Sequence, residues 1–398
     1  MRISFLFYLL TSCLLLIQCS PDNRIGIVME NGARKITINS PFGITNKQPK
    51  KISEFIGDFF FVRLSSLGDN FMGRIEKLMV SNNIIFIHDD VTDSMFLYDM
   101  EGNLITRIKG KGKGPNEYAK IVDFTVDWDR NRIVILDNIT RKIILYDFNG
   151  HVIGNKKLHL FSDRITYLGN DKYAFYNDYN SAATDNYLLR ITDLSQKGVL
   201  SFFPWSDEKY LRHKVSKWQY VWDSNNTEMN LVPFYDNNLY GVTKDSVYAR
   251  YFFDFGRHNL PEDMVLESFR VEPNYVHTIQ PIYETDSILA FGYTISGRRQ
   301  LVFYNKNNGN QLFARETSWL NEPTVTRMFY ANDILACYDN YFVAWETPVS
   351  VSDFVKYYPD EFGKNERQML MDDPKYKELA NVQVNDNPIL VFYKLKSF

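Results

Sequence analysis

The chain has 398 residues, 45% hydrophobic and 23% charged, an ordinary globular composition with enough length for a large core. Aromatics reach 16%, mostly Tyr and Phe, with Gly and Pro scattered throughout, which suits many short strands joined by turns. A formal net charge of -3 excludes the strong basic excess on which nucleic-acid binders rely, so no nucleic acid is expected as a partner.

In chain order, Met1-Arg2 precedes an apolar run from Ile3 to Ile17, then Gln18-Cys19-Ser20. A positive start and a short apolar segment form a secretory signal peptide, assigned to residues 1–18, too short to span a bilayer. Leu16-Ile17-Gln18-Cys19 resembles the lipobox of bacterial lipoproteins and makes Cys19 the expected lipidated residue. Leu10-Thr11-Ser12-Cys13 fits the consensus better but leaves a shorter apolar core; a plain cleaved signal peptide is a further alternative. With Cys19 lipidated, only Cys337 remains, so no internal disulfide is expected, and Cys337 reads as an apolar filler. Residues 19–50 are polar with little periodicity and read as a tether and irregular lead-in that lets the domain stand off the membrane.

From about Lys51 the texture is strand after strand, with an internal repeat. Tyr98-Asp99 and Tyr146-Asp147 are offset by 48 residues, as are Gly102 and Gly150, and Asp89 and Asp137. A period of roughly 40–50 residues built of four strands is what a β-propeller blade requires. Blade one is expected at Arg74–Val80, Ile84–His88, Met95–Tyr98 and Leu104–Lys109. Blade two takes Ile121–Val126, Arg132–Leu136, Lys142–Tyr146 and Val152–Leu158. Their second strands are apolar on both faces, as strands sandwiched between neighbouring blades must be. Blade three follows at Arg164–Leu168, Lys172–Asn177, Asn186–Thr192 and Gly198–Phe203. Blade four takes Lys217–Trp222, Met229–Phe234, Asn238–Thr243 and Val247–Asp254. Blade five takes Val276–Glu284, Ser287–Thr294, Arg299–Asn305 and Gln311–Arg315. Blade six starts at Met328–Cys337 and Tyr341–Glu346, is interrupted by a helical insertion at about 351–386, and resumes at Ile389–Leu395. It is one strand short, and Phe59–Leu64 has no blade of its own; pairing the two closes the ring. The fold expected over 51–398 is therefore an all-β, six-bladed β-propeller.

Loops joining second to third strands, and loops joining one blade to the next, emerge on one face. The long segments Gly110–Tyr118, Asn177–Asp185, Phe203–His213, Arg257–Phe269 and the insertion at 351–386 all fall there. Such clustering is how a repeat scaffold builds a binding surface, although the loops could equally plug the channel. The candidate ligand-binding residues are Lys111, Lys113, Asn116, Glu117 and Tyr118 in the glycine-rich linker, Asp89 and Asp137 at second-strand ends, Asp178, Trp205 and Tyr210.

The stretch Gly110–Gly150 resembles the NHL-type propeller repeat. The matching residues are Gly112-Lys113-Gly114-Pro115-Asn116-Glu117-Tyr118, Phe124-Thr125-Val126-Asp127, Ile135-Leu136-Asp137 and Tyr146-Asp147-Phe148-Asn149-Gly150. The family's Pro-x-Gly before the inner strand is replaced by Lys120-Ile121-Val122-Asp123. With its lipoprotein-like start, the chain is similar over residues 51–398 to six-bladed propeller lipoproteins of uncharacterised function from anaerobic Gram-negative bacteria. NHL-type propellers include protein-binding and RNA-binding modules and some lyases, so the resemblance implies a fold and a surface role.

No catalytic constellation stands out. The six His occupy unlike positions and none has ligand spacing; only His88, beside Asp89 and Asp90, has company. Asp127-x-Asp129-x-Asn131 imitates the start of a calcium loop but lacks its sixth-position Gly and twelfth-position Glu. Gly112-Lys113 is followed by Gly-Pro and a strand, not by Ser or Thr opening a helix, so it is no P-loop. Neither cofactor nor metal is expected. The reading is a lipid-anchored envelope module binding a protein partner or glycan; the alternative is a lyase or hydrolase with a metal in the channel. A Cys19→Ser variant is expected to lose membrane association in cell fractionation, and retention in the membrane fraction would refute the anchor.

Overall fold

The computed structural model describes residues 24–29, 32–43, 50–51, 54–66, 68, 70–177, 186–205, 221–225, 228–261, 274–276, 278–314, 317–318, 334–352, 372, 374–379 and 381–398. Four short strands come first: β1 (Arg24–Ile25), β2 (Val28–Met29), β3 (Arg34–Thr37) and β4 (Lys50–Lys51). Next comes β5 (Ile56–Arg63), and then the blades follow in order. Blade 1 is β6 (Ile75–Ser81), β7 (Ile84–Asp89), β8 (Ser94–Asp99) and β9 (Leu104–Ile108). Blade 2 is β10 (Asp123–Asp127), β11 (Arg132–Asp137), β12 (Lys142–Asp147) and β13 (Val152–Lys157). Blade 3 is β14 (Arg164–Tyr167), β15 (Tyr173–Tyr176), β16 (Tyr187–Thr192) and β17 (Leu200–Pro204). Blade 4 is β18 (Val221–Asn225), β19 (Glu228–Leu231), β20 (Asn238–Val242) and β21 (Val247–Asp254). Blade 5 is β22 (Ile279–Glu284), β23 (Ile288–Ile295), β24 (Arg298–Asn305) and β25 (Gln311–Phe313), trailed by β26 (Thr317–Ser318). Blade 6 joins β27 (Ala336–Tyr338), β28 (Tyr341–Glu346) and β29 (Ile389–Leu395) to β5. The fold is a six-bladed β-propeller of antiparallel four-stranded blades.

Ring closure follows the expected route. β5 pairs antiparallel with β29, placing Phe61 opposite Val391 and Phe60 opposite Phe392, whose rings stack at 4.6 Å. Apolar side chains alternate between the two neighbouring blades, because successive residues of a strand face opposite sides. Ile133 and Ile135 pack with Phe86, Met95 and Leu97 of blade 1, while Val134 and Leu136 pack with Ile165 and Phe175 of blade 3. Polar groups tie the inner strands together near the axis. Lys77 Nζ donates to Asp123 Oδ1 at 2.8 Å, Ile165 N donates to Asp123 Oδ2 at 2.8 Å, and Tyr167 N donates to Thr125 Oγ1 at 3.0 Å.

Several boundaries differ from the sequence expectation. The inner strand of blade 4 is Val221–Asn225 rather than Lys217–Trp222, and those of blades 5 and 6 begin at Ile279 and Ala336, with 328–333 outside the described residues. The described ends of the insertion are helical, at 348–352, at 372 and in a 3₁₀ segment at Pro374–Leu379. Among the described residues, no helix is long and apolar enough to cross a membrane.

The larger correction concerns the lead-in. Its described residues from Arg24 onward form a strap on the propeller rim, not a free tether. β1 adds as a parallel strand to the outer edge of blade 3, β2 and β3 add to the edge of blade 4, and β4 pairs with β26 beside blade 5. Ile36 and Ile38 are buried in the blade 4–5 core, and Lys35 Nζ meets Asp254 Oδ2 at 2.6 Å. These contacts do for the edge what a fifth strand does, pairing backbone groups that would otherwise face solvent. The Phe392→Ala variant removes the fully buried partner of the closing strand. It is expected to cost about 3–5 kcal/mol in urea unfolding; a change below about 1 kcal/mol would show that β5 contributes little to closure.

Candidate functional site

The turns between second and third strands in blades 1 and 2 share one construction. Asp89 is buried at the end of β7, and each of its carboxylate oxygens accepts two hydrogen bonds. Oδ1 takes Arg74 N at 2.9 Å and Val91 N at 3.1 Å; Oδ2 takes Gly73 N at 3.0 Å and Thr92 Oγ1 at 2.6 Å. Asp137 repeats this at the end of β11. Its Oδ1 accepts Ile139 N at 3.0 Å and Thr140 N at 3.1 Å, and its Oδ2 accepts Ala119 N at 2.7 Å and Thr140 Oγ1 at 2.6 Å. Each Asp thus bolts its own turn to the segment entering the inner strand of the same blade. Expected as ligand contacts, Asp89 and Asp137 have no free acceptor to offer; their role is architectural.

The residue these turns display was not anticipated. Val91 and Ile139 sit two positions after the Asp and are 66% and 62% exposed. The signal was present in sequence: Asp89-Asp90-Val91-Thr92 and Asp137-Asn138-Ile139-Thr140 place an aliphatic residue inside a polar turn at the repeat offset.

The glycine-rich linker folds back on itself. Gly112 N donates to Tyr118 O at 2.9 Å, Tyr118 N to Gly110 O at 3.0 Å, and Gly114 N to Glu117 Oε2 at 2.7 Å. A Cβ at Gly110 would run into the hydroxyl of the buried Tyr146, so this glycine serves close packing; Gly112 meets only the movable end of the exposed Glu117 side chain. Asn116 Oδ1 accepts a bond from Asn155 Nδ2 at 2.7 Å, joining the linker to β13. Tyr118, expected as a contact residue, is fully buried; its hydroxyl donates to the Asp93 carbonyl at 2.9 Å and accepts from Gly110 N at 3.0 Å.

Asp93 holds the linker in place. Its Oδ1 accepts from Ile121 N at 3.0 Å and lies 3.7 Å from His88 Nε2, while Oδ2 lies 3.1 Å from Lys111 Nζ. Burial alone would raise this carboxyl, but His88, the Ile121 N–H and Lys111 outweigh it, so its pKa lies below the usual carboxylate value. Lys111 and Lys113 remain exposed at the linker surface, as do Asn116 and Glu117. Trp205 is buried in the blade 3–4 core rather than offered for stacking, while Asp178, Tyr210 and the lipidation candidates Cys13 and Cys19 lie outside the described residues. Among the described residues, no three His, Cys, Asp or Glu side chains group as a metal site. Asp127 is committed to Arg132 and Tyr173, and Asp129 to Tyr167, so the pseudo-calcium sequence is a structural hairpin. Cys337 is half-buried against the core, and burial pushes its thiol up, away from nucleophile chemistry.

Exposed large apolar side chains are distributed unevenly between the two faces. Phe71, Val91, Ile139, Val349 and Val384 lie on segments that emerge on the loop-rich face, and Phe42 joins them through its edge-on ring contact with His258. Among the described residues, the turns of the opposite face expose none.

This architecture defines the chain as a six-bladed propeller with an N-terminal strap. It belongs to the DUF4934 family, described as a domain of unknown function, whose match covers residues 35–394. No functionally curated protein matches it. Two solved structures share the fold. A Bacteroides fragilis protein, thought to be exported, is 16% identical with a TM-score of 0.65 over 92% of this chain and 99% of its own. A DUF4221-family member from Bacteroides vulgatus is 10% identical with a TM-score of 0.50 over 88% of this chain and 99% of its own.

An Asp93→Asn variant tests the linker anchor. Because the folded carboxyl is more acidic than in the unfolded chain, its contribution is complete above the unfolded pKa and is lost as pH falls through the folded value. The variant is expected to melt lower than the parent at neutral pH, with the gap closing below about pH 4; a gap independent of pH would assign the loss to packing.

Proposed function

We propose that this protein is an extracytoplasmic binding module, lipid-anchored at Cys19 in the cell envelope, that docks a protein partner on its loop-rich face. The observation that carries the reading is the apolar asymmetry: exposed Phe42, Phe71, Val91, Ile139, Val349 and Val384 belong to that face and none belongs to the turns of the other. Exposing apolar surface costs about 25 cal/mol per Å², and clusters of it on one face mark interaction sites. A protein partner fits better than a glycan. Four of the six, Val91, Ile139, Val349 and Val384, are aliphatic, whereas sugar recognition draws on flat aromatics, of which this set holds Phe42 and Phe71 while Trp205 is committed to the core. The signal-peptide-like start, together with the similarity to a Bacteroides fragilis protein thought to be exported, supports an extracytoplasmic address. Lys111 and Lys113, exposed on the linker of the same face, suit an acidic rim on the partner.

The test is capture from envelope extract by the parent and by a Val91→Asp/Ile139→Asp variant, alongside a glycan array. The double variant should melt within about 1 °C of the parent, since both side chains are exposed, yet lose the captured protein. Equal capture by both would sink the proposal, and specific glycan binding would redirect it.

A further inference from the structure

The remaining exposed large apolar residues lie on the outer rim and occupy consecutive blades. Ile105 is on the outer strand of blade 1, Val152 and Ile153 are on that of blade 2, and Ile27 and Met29 are on the strap running from blade 3 to blade 4. Blade 2 is the centre of this arc. All six residues of its outer strand β13 are exposed or half-exposed, Ile153 at 53%, and Lys156 and Lys157 stand exposed at its end. Strap strands cover the outer edges of blades 3 and 4, but no described strand covers that of β13. The three rim segments Arg24–Met29, Leu104–Lys109 and Val152–Lys157 contain no Asp or Glu. At the average of 48 acidic residues in 398, eighteen residues would hold about two. They do contain Arg24, Arg107, Lys109, Lys156 and Lys157.

Chain geometry says what this arc faces. The strap passes backwards from blade 5 to blade 4 to blade 3, and β1 lies on the blade that adjoins blade 2. Cys19 precedes Arg24 by five residues, which extend at most ~18 Å. A lipid carried on Cys19 therefore holds Arg24, on the rim of blade 3 next to blade 2, within about 18 Å of the bilayer. Had residues 19–50 been a free tether, the domain could have stood well clear of the surface.

We propose that the propeller rests edge-on against the membrane, with the outer strand of blade 2 as the contact: Val152 and Ile153 enter the headgroup layer, and Lys156 and Lys157 meet anionic headgroups. This rests on the lipid anchor at Cys19 proposed above. The anchor holds the chain at the bilayer, and a basic and apolar patch beside it sets which edge of the propeller faces the lipid.

The experiment uses unlipidated Cys19→Ser protein, so that the rim is tested without the anchor, and flotation with phosphatidylcholine vesicles containing or lacking phosphatidylglycerol. Binding is expected to the anionic vesicles. A Lys156→Gln/Lys157→Gln variant should weaken it about tenfold, Ile153→Asp should weaken it comparably, and Val91→Asp/Ile139→Asp should leave it unchanged. Absence of binding to anionic vesicles, or equal binding by all variants, would overturn the rim contact. Greater loss in the Val91/Ile139 variant would instead lay the loop-rich face on the lipid and overturn it too. A failed anchor is seen separately: in cells, Cys19→Ser protein held by the rim alone is stripped from the membrane by a high-salt wash, and retention through that wash refutes the anchor whatever the vesicles show.

Discussion

The structure depends on burying both faces of every middle strand between neighbouring blades. Ile133 and Ile135 have no partner without blade 1, and Val134 and Leu136 have none without blade 3, so a single blade leaves half its apolar side chains in water. The ring must therefore close, and closure joins β5 to β29 across more than three hundred residues. Bringing such distant segments together costs roughly 5 kcal/mol of chain entropy. Ile56, Phe61, Val62 and Leu64 are all buried in the closed ring, and each contributes about 1.5–3 kcal/mol, so burial exceeds the entropy term. Closure is favourable on these contacts alone, before the backbone ladder is counted.

Blades 1 and 2 were legible because this burial writes continuous apolar runs into the sequence, and Gly-containing turns punctuate them at a fixed offset. Blade 4 was less legible: β18 reads Val221-Trp222-Asp223-Ser224-Asn225, with a register shift against its neighbour, and carries no continuous apolar run. The strap was missed for a different reason. Its strands are two to four residues long and pair in parallel with an existing edge, so neighbouring blades hold them and their own periodicity does not. Only Ile36-Thr37-Ile38 carried an alternating pattern, and both isoleucines are indeed buried.

The candidate site shows how a repeated residue can mislead. Asp89 and Asp137 recur at one offset near a loop face, the position where a ligand carboxylate would stand. Four donors saturate each, and a buried carboxylate so satisfied is worth more to the turn than to a ligand. Two residues on, the side chain points to solvent, and there each of the two blades exposes an aliphatic residue. Asp93 carries no repeat signal at all, since the position one offset later is Arg141, although both adopt positive φ. Backbone shape is shared between blades at this point while side-chain chemistry is not, so blade 2 has no counterpart of the Asp93 carboxylate that holds the glycine-rich linker.

The two sets of exposed apolar residues impose different demands on orientation. A propeller lying face-down on a bilayer would spend Val91, Ile139 and Phe71 on lipid and leave Val152 and Ile153 in water. Standing edge-on reverses this, keeping the loop-rich face perpendicular to the membrane and open to a partner approaching alongside. The strap favours the second arrangement, because it runs along the rim and delivers its N-terminal end to blade 3 rather than to either face. A flexible linker of the same length would permit both arrangements and specify neither. Converting that linker into edge strands costs about 1–2 kcal/mol of backbone entropy per ordered residue. Burial of Ile36 and Ile38 and the Lys35–Asp254 pair offset part of it, and what the protein gains in return is a defined direction for its loop-rich face.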